Sequence, residues 1–310
     1  MLEVEITPQG LEEIVLKLGR ERAALRDADV EAFQRRELEP LYREAPAVAV
    51  VQLDGGRAQV RASGAARGVH EPAWTETKVG NFSTYTDVNF QVDPQPDPPT
   101  KFLDRHEVAR LVQDLKGFSG KAPAEKEPKP ARAARRHARK RSRKRTGPER
   151  KVRTVVATTQ SCEEFGPMVA SEAMRRGFFD AKKKAALGDG SLWIWGIVAA
   201  WLPGFIPILD FVHLVTHLYS AAQAALKGAP GKAWDLYVKL MRQAWAGRIT
   251  ELLEELKKHS HRLGAPPDNC PEDDPRKILA GTVAYVEKNK DKIDYPRYRR
   301  EGLPISTAPV

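Results

Sequence analysis

The sequence predicts an α/β protein whose sheet begins with an antiparallel meander and continues with strand–helix units. The spacing of apolar residues changes along the chain between the period of a strand and the period of a helix. Short apolar segments cluster between residues 47 and 85, and strand-like segments followed by helices recur between residues 152 and 211. Hydrophobic residues make up 41% of the 310 residues, which supports a buried core. Together these observations indicate a mixed sheet.

Two helices are predicted before the first strand. Apolar residues from Leu11 to Leu18 recur at helical spacing, and Gly19 indicates where this helix stops. A second, highly charged helix is predicted from Glu21 to about Leu41. These helices could be the end of a DNA-binding helix-turn-helix.

The predicted meander has three strands. Ala47–Leu53 is an apolar run, Arg57–Arg61 is its return partner, and Trp74–Tyr85 alternates as the third strand. Between the first two strands stands Asp54 with two glycines, and Asp-Gly is a common hairpin signal. Asp54 is therefore either a turn residue or an acid that a buried strand carries outward.

The next segments are a helix, a basic stretch and a strand–helix unit. A helix is predicted from Asp104 to Lys116, with Asp104 as its N-cap. After the basic stretch, Val152–Thr158 is predicted to be a strand. Ser161 and Glu164 then have the spacing of a capping box, which indicates the start of a helix.

The rest of the chain is predicted to be mainly helical. A helix is expected from Leu192 to Trp201, a short strand from Ile206 to Phe211, and helices from Leu214 to about His261 and from Pro275 to about Lys290. The chain is thus divided into a helical N-terminal segment (1–45), the first part of the core (46–118), a basic low-complexity linker (119–151), the second part of the core (152–226) and a helical insertion with the start of a C-terminal segment (227–310).

Basic residues are concentrated in one segment. The chain has a net charge of +10, and twelve cations against Glu149 give residues 129–151 a charge of +11, so the remainder is close to neutral. Such a segment is predicted to be disordered or weakly helical and to contact phosphates without sequence specificity. The alternative is a solvated linker. The predicted DNA-binding residues are Arg135, Arg136, Arg139, Lys140, Arg141, Arg143, Lys144 and Arg145.

Cysteine usage and hydropathy favour a cytoplasmic protein. Cys162 and Cys270 are far apart and lack the spacing of a zinc site or a disulfide framework. Residues 192–209 hold no charge over 18 positions, the lower limit for a membrane-spanning helix. However, two prolines and a glycine interrupt the second half of this run. A buried helix, a turn and a strand are therefore predicted there instead of a membrane span.

Acids follow apolar segments at Asp54 and Asp189, and each is followed by glycine. A ribonuclease-H-like sheet presents metal-binding carboxylates in this way, because central strands carry them to one edge and hold two divalent ions about 3.5–4 Å apart. Hard oxygen ligands suit Mg²⁺, or Mn²⁺ in its place. We therefore expect these carboxylates to lie on neighbouring strands and to face one site.

Four segments carry a resemblance to a known family: VVQLDGGRAQVRASGAARGVHEPAWTETKVG, SCEEFGPMVASEAMRRGFF, LGDGSLWIW and PILDFVHLVTHL. Together they resemble the DDE transposases of ISKra-type insertion sequences, distant relatives of the Mutator-like group. The resemblance extends from about Asp27 to Val310. It implies a ribonuclease-H-like catalytic domain that cuts and joins DNA.

The resemblance also implies roles for particular residues. Asp54 matches the first catalytic acid of the family, and Asp189 matches the second, in a Gly-Asp-Gly motif; both would be metal ligands. Asp210 and His213 match an Asp-two-residues-His signature that supports the site. His213 could be a general base or a structural histidine.

This chain departs from the family's pattern at the third catalytic acid. The family places a glutamate just after a segment like YRREGLPISTAPV, so the matching position would follow Val310. Asp291, Asp294 and Glu301 are acids before that point, and each can also be a solvated charge. The chain is accordingly expected to be truncated and to cleave DNA poorly, with two metal ions bound only in a complete protein.

The predicted function is therefore that of an insertion-sequence transposase, with phosphodiester cleavage and strand transfer on double-stranded DNA. The expected partners are transposon ends and target DNA, a homo-oligomer is expected on DNA, and the expected location is the bacterial cytoplasm at the nucleoid. The alternative is a remnant of a transposase that binds DNA without catalysis.

Overall fold

The computed structural model describes residues 7–60, 73–117 and 148–307. In these residues five strands form one open sheet in the order β3–β2–β1–β4–β5, with β1–β2–β3 antiparallel and β1–β4–β5 parallel. In chain order the strands are β1 (Val48–Val60), β2 (Ala73–Tyr85), β3 (Arg150–Thr158), β4 (Lys183–Gly188) and β5 (Ile206–Leu209). The protein is thus an α/β protein with a mixed sheet, and this strand order is compatible with a ribonuclease-H-like arrangement.

Helices cover both faces of this sheet. They are α1 (Pro8–Gln34), α2 (Arg105–Gly117), α3 (Cys162–Arg175), α4 (Leu192–Trp201), α5 (Phe211–Ala225), α6 (Pro230–Trp245), α7 (Ile249–Leu263), α8 (Pro275–Asn289) and α9 (Tyr295–Arg300), with 3-10 turns at Thr100–Phe102, Phe178–Asp180 and Lys290–Lys292. The predicted caps are confirmed: Asp104 accepts hydrogen bonds from two N–H groups of α2, and Ser161 and Glu164 form a capping box.

The predicted hairpin at Asp54 is wrong. β1 continues without a turn from Val48 to Val60 and pairs with β2 along its whole length, so Asp54 lies opposite Val79 in mid-strand. Asp-Gly is a local turn signal, but here the hydrogen bonds of a long partner strand hold the two glycines extended. The last residue of β1, Val60, pairs with the first residue of β2, Ala73.

The predicted helix stop at Gly19 is also wrong, because α1 continues from Pro8 to Gln34. One glycine in a helix interior costs only about 1 kcal/mol. The second half of α1 packs against α3, where Arg175 forms an ion pair with Asp29. These tertiary contacts outweigh the local cost of Gly19.

The sheet separates two hydrophobic cores. Alternate residues of β1 point to opposite faces: Val48 and Val50 pack with α2 and α5–α9, whereas Val51 and Leu53 pack with α3 and α4. Within the described residues, no helix is long and apolar enough to cross a membrane. The uncharged run from residue 192 contributes α4, a turn and β5, as predicted.

Candidate metal centre

Three aspartates form one row across the sheet, from the middle of β1 to the carboxyl ends of β4 and β5. The parallel pairing of β1 with β4 ends at Gln52 and Leu187, and the same register two positions further puts Asp54 opposite Asp189. The pairing of β4 with β5 ends at Gly188 and Leu209, so Asp210 is the neighbour of Asp189. Adjacent strands lie about 4.8 Å apart, which brings these acids together although they are far apart in sequence.

Two acids of this row meet a histidine from the first turn of α5. One ligating atom each of Asp54, Asp189 and His213 lies within 4.8 Å of the others, and all three residues are half-buried. The expected juxtaposition of Asp54 and Asp189 on neighbouring strands is confirmed. Their role as metal ligands stays a prediction.

Burial and mutual repulsion act on the Asp54 carboxyl. Burial raises its pKa most, the charges of Asp189 and Asp210 add to this effect, and His213 opposes it. Two carboxylates held this close without a cation repel one another, so the folded chain maintains an unfavourable charge arrangement here. Perturbed acids grouped in this way are typical of functional sites.

Asp210 has a different environment from its neighbour Asp189. It is fully buried and accepts hydrogen bonds from Val212 N–H at 2.7 Å, from Thr307 N–H at 2.9 Å and from the Thr307 hydroxyl at 2.5 Å. Burial by itself would raise its pKa, but His213 and these bonds to Thr307 outweigh burial and lower the pKa. Asp210 is therefore a buried anion that caps α5 and anchors the segment at Thr307.

His213 links Asp210 to the acid pair. Its Nδ1 is buried and lies 3.6 Å from Oδ2 of Asp210, slightly beyond hydrogen-bond distance, and no described residue is a hydrogen-bond partner of this nitrogen. Burial lowers the pKa of His213, but the charges of Asp210, Asp54 and Asp189 outweigh it, so the pKa is raised. The neighbouring carboxylates thus favour the imidazolium form of His213 more than water does.

Residues of α8 hold the turn that presents Asp189. The hydroxyl of Tyr285 donates to the Asp189 backbone carbonyl at 2.7 Å, and Asp189 Oδ1 accepts from the Ser191 N–H at 2.8 Å. Gly190 between them has φ +95°, and a Cβ there would lie 2.6 Å from the Tyr285 ring. Buried Asn289 accepts a hydrogen bond from the Trp195 indole of α4 and so fixes the next helix. The turn is thus fixed from both sides.

The donor set fits a divalent cation. Two carboxylates and one imidazole supply three protein ligands, which leaves coordination positions for water or substrate. Carboxylates suit Mg²⁺ and Mn²⁺, and the imidazole favours Mn²⁺ or a later transition metal over Mg²⁺. One ion is accommodated by these three groups. The described residues add no further His, Cys, Asp or Glu ligand to this group.

The other acids considered from the sequence lie elsewhere. The Glu301 carbonyl accepts a hydrogen bond from Lys183, which opens β4 at the opposite end from Asp189. The Glu301 side chain pairs with Arg297, and Asp294 caps α9. The predicted DNA-binding cations from Arg135 to Arg145 lie outside the described residues.

Sequence reasoning missed two contributors to this centre. Tyr285 belongs to a helix far along the chain, and no motif connects it with the Gly-Asp-Gly turn. His213 was considered only as a base or a structural residue, although its spacing from Asp210 would put it in the first turn of a helix that faces the row of acids.

Comparison with other proteins identifies no relative. No family model matches this chain, and no curated protein or solved structure is significantly similar to it.

Proposed function

We propose that this protein is a metal-dependent DNA-cleaving and strand-transferring enzyme of the ISKra-type DDE transposase kind. The observation that carries the proposal is the placement of Asp54 opposite Asp189 on the central strands of a sheet with the order β3–β2–β1–β4–β5. Folding gains little from two adjacent half-buried carboxylates, so their presence at this position favours a ligand-binding role. The same strand order supports a ribonuclease-H-like fold.

Each residue of the centre would have its own task. Bound divalent ions would supply Lewis-acid activation of a water or a 3′-hydroxyl and would stabilise the leaving oxygen of the phosphodiester. Asp54 and Asp189 would hold those ions, and His213 would complete the ligand set or exchange a proton with the attacking group. Asp210 would attract the charge of His213 and anchor the segment that reaches Thr307.

The bonds between Asp210 and Thr307 are relevant to the position of the family's third acid. The resemblance puts this acid a few residues after Thr307, and the bonds of Asp210 hold Thr307 beside the centre. Cleavage at full rate, with two ions, would need that acid.

A second candidate is a DNA-binding protein without catalysis. It is favoured by the ligand set itself, since the described residues contribute two acids and one histidine and so fit one ion. Both candidates would act on double-stranded DNA in the nucleoid, and both would use the +11 segment at residues 129–151 for phosphate contact.

The test combines metal binding with cleavage. Mn²⁺ affinity of the full chain is measured by calorimetry, and nicking of a labelled duplex is measured with and without Mn²⁺. Asp54→Asn and Asp189→Asn should each weaken Mn²⁺ binding by about tenfold or more, because each removes a ligand charge but little volume. Asp291→Asn is the matched control, since Asp291 is an exposed acid outside the centre.

The outcomes separate the two candidates. Mn²⁺-dependent nicking that both variants lose and Asp291→Asn retains supports the enzyme. Metal binding that depends on both acids, with no nicking by the unaltered chain, supports the second candidate for these 310 residues. Mn²⁺ binding equal in all four proteins would refute the metal centre.

A further inference from the structure

We infer that the sheet face beside Asp54 is a track for a DNA backbone, with Arg153 as its phosphate-binding residue. The inference rests on the proposed function and names the substrate contact of that centre. The track consists of half-buried and exposed residues of β2 and β3 that share the face of Asp54, namely Val79, Asn81, Arg153, Val155 and Ala157, whereas Gln52 and Ser83 on the same face are buried.

Strand register defines this face. Cross-strand partners lie on one face, and Asp54 pairs with Val79, which pairs with Ala157. Two residues further along each strand, and so on the same face, Gln52 pairs with Asn81, which pairs with Val155. The following row contains Ser83 and Arg153.

Helices leave the outer part of this face open. Val155 is 53% exposed, and Ala157 and Arg153 are also exposed. The inner part, in contrast, is covered, since Val50 on the same face belongs to the core formed with α2 and α5. From Asp54 this face is half-buried at Val79 and Asn81 of β2 and exposed at β3, while α5 with His213 is on the other side of Asp54.

Polar residues within the sheet hold Arg153 in place. Arg153 Nε donates to Asn81 Oδ1 at 3.0 Å, and Asn81 Nδ2 donates to Gln52 Oε1 at 2.7 Å. Arginine is only a donor, so it fixes the orientation of the Asn81 amide, which in turn fixes Gln52. Gln52 is only 6% exposed, at a position where valine would pack without desolvating an amide.

The positive charge of the track indicates that its partner is a polyanion. The Nε bond leaves the other guanidinium nitrogens of Arg153 available, and no described carboxylate forms an ion pair with it. Arg150 and Lys151, also exposed, are the last cations of the +11 segment and lead into the same strand. Two strand spacings and four residues along β3 separate the Arg153 backbone from Asp54 by roughly 16 Å, and the bond to Asn81 directs the guanidinium across β2 toward β1. A polyanion that reaches the two acids would thus meet a prepared cation beside them.

The first experiment measures the salt dependence of DNA binding by the full chain, with EDTA present so that metal binding plays no part. Arg153→Gln should reduce the slope of log affinity against log salt by about one, with similar weakening for two unrelated duplexes. Arg57→Gln is the matched control, because Arg57 is an exposed arginine on the opposite face of β1 and should leave the slope unchanged. Equal slopes for the two variants would overturn the inference.

The second experiment tests the face directly. Val155→Cys and Val152→Cys are made in a chain whose Cys162 and Cys270 are serine, and each is treated with a duplex that carries a thiol-reactive group. Val152 is similarly exposed, at 45%, but points to the opposite face of β3. Val155→Cys should crosslink and Val152→Cys should not; equal crosslinking, or crosslinking by Val152→Cys alone, would overturn the inference. Neither experiment uses metal or cleavage. The results can therefore refute the track without refuting the metal centre, and a failure of the metal centre would not refute the track.

Discussion

The ends of β4 and β5 are neighbours in the sheet, and each carries an aspartate, yet the two acids are in opposite situations. Each side chain accepts the N–H two residues further on, from Ser191 for Asp189 and from Val212 for Asp210. Beyond that bond, Asp210 is fully buried and saturated by Thr307, whereas Asp189 is half-buried and faces Asp54. The hydrogen bonds of a strand-end acid, and not its position, therefore distinguish a structural carboxylate from a candidate ligand.

The turns that follow the two acids differ as well. After Asp210 the chain enters α5 at once, and the buried anion caps the helix. After Asp189 the chain needs one residue at positive φ, Gly190, pressed against Tyr285. Asp210 is thus held by the helix that follows it, α5, whereas the turn at Asp189 is held by Tyr285 of the distant helix α8.

The largest expected effect is a difference in the free energy of unfolding between the Asp210→Asn and Asp189→Asn variants. Asp210→Asn should lower the free energy of unfolding by about 3 kcal/mol, because an amide brings two donors to a place where the protein already supplies donors. Asp189→Asn, its matched partner, should change stability by less than about 1 kcal/mol, since it relieves repulsion with Asp54. Chemical denaturation in EDTA measures both, and equal costs would contradict the comparison.

The second effect concerns the turn after Asp189. Gly190→Ala should cost about 2–3 kcal/mol and weaken Mn²⁺ binding, because it adds both backbone strain and a clash with Tyr285. Gly228→Ala is the control for strain alone: its φ is +89°, and no described atom would lie within 4 Å of the new Cβ. It should cost about 1 kcal/mol and leave Mn²⁺ binding unchanged. A similar loss in both variants would show that the Tyr285 contact does not matter.

The smallest effect is a pH dependence of opposite sign for Asp54 and Asp210. A carboxyl whose pKa is raised on folding favours the folded state below its ordinary pKa of 3.8, and this contribution is lost as pH rises through the folded pKa. Asp54→Asn should therefore stabilise the metal-free chain at pH 7, and this gain should vanish below pH 3.8.

Asp210 follows the other rule. Its folded pKa is lowered, so its contribution is present above 3.8 and is lost as pH falls through the folded pKa. The cost of Asp210→Asn should consequently be greatest near neutral pH and should shrink in acid. Thermal melts of both variants and the unaltered chain between pH 3 and pH 7 provide the measurement, and parallel curves for the two variants would disprove the opposite signs.

Much of the fold could be predicted because its signals are local. The N-cap at Asp104, the capping box at Ser161 and the exact span of α4 follow from residues within one or two helical turns. Strands were likewise predicted over Trp74–Tyr85, from alternation, and over Val152–Thr158, and both are present as β2 and β3. Predictions failed at Gly19 and at the two glycines after Asp54, because long-range contacts outweigh the local signals there. The packing of α1 against α3 outweighs the stop signal of Gly19, and the pairing of β1 with β2 outweighs the turn signal after Asp54.

The sequence by itself determined which residues were candidates: Asp54 and Asp189 after apolar segments, Asp210 and His213 three positions apart, and a basic stretch beside the core. Only the tertiary structure decided how they combine. Strand order and register put Asp54 opposite Asp189 and made Asp210 the neighbour of Asp189, and Tyr285 and Thr307 came to the same edge from distant segments. The physical reason is that caps and alternation depend on bonds within a few residues, whereas the pairing of strands and the saturation of a buried carboxylate depend on groups that only the folded chain brings together.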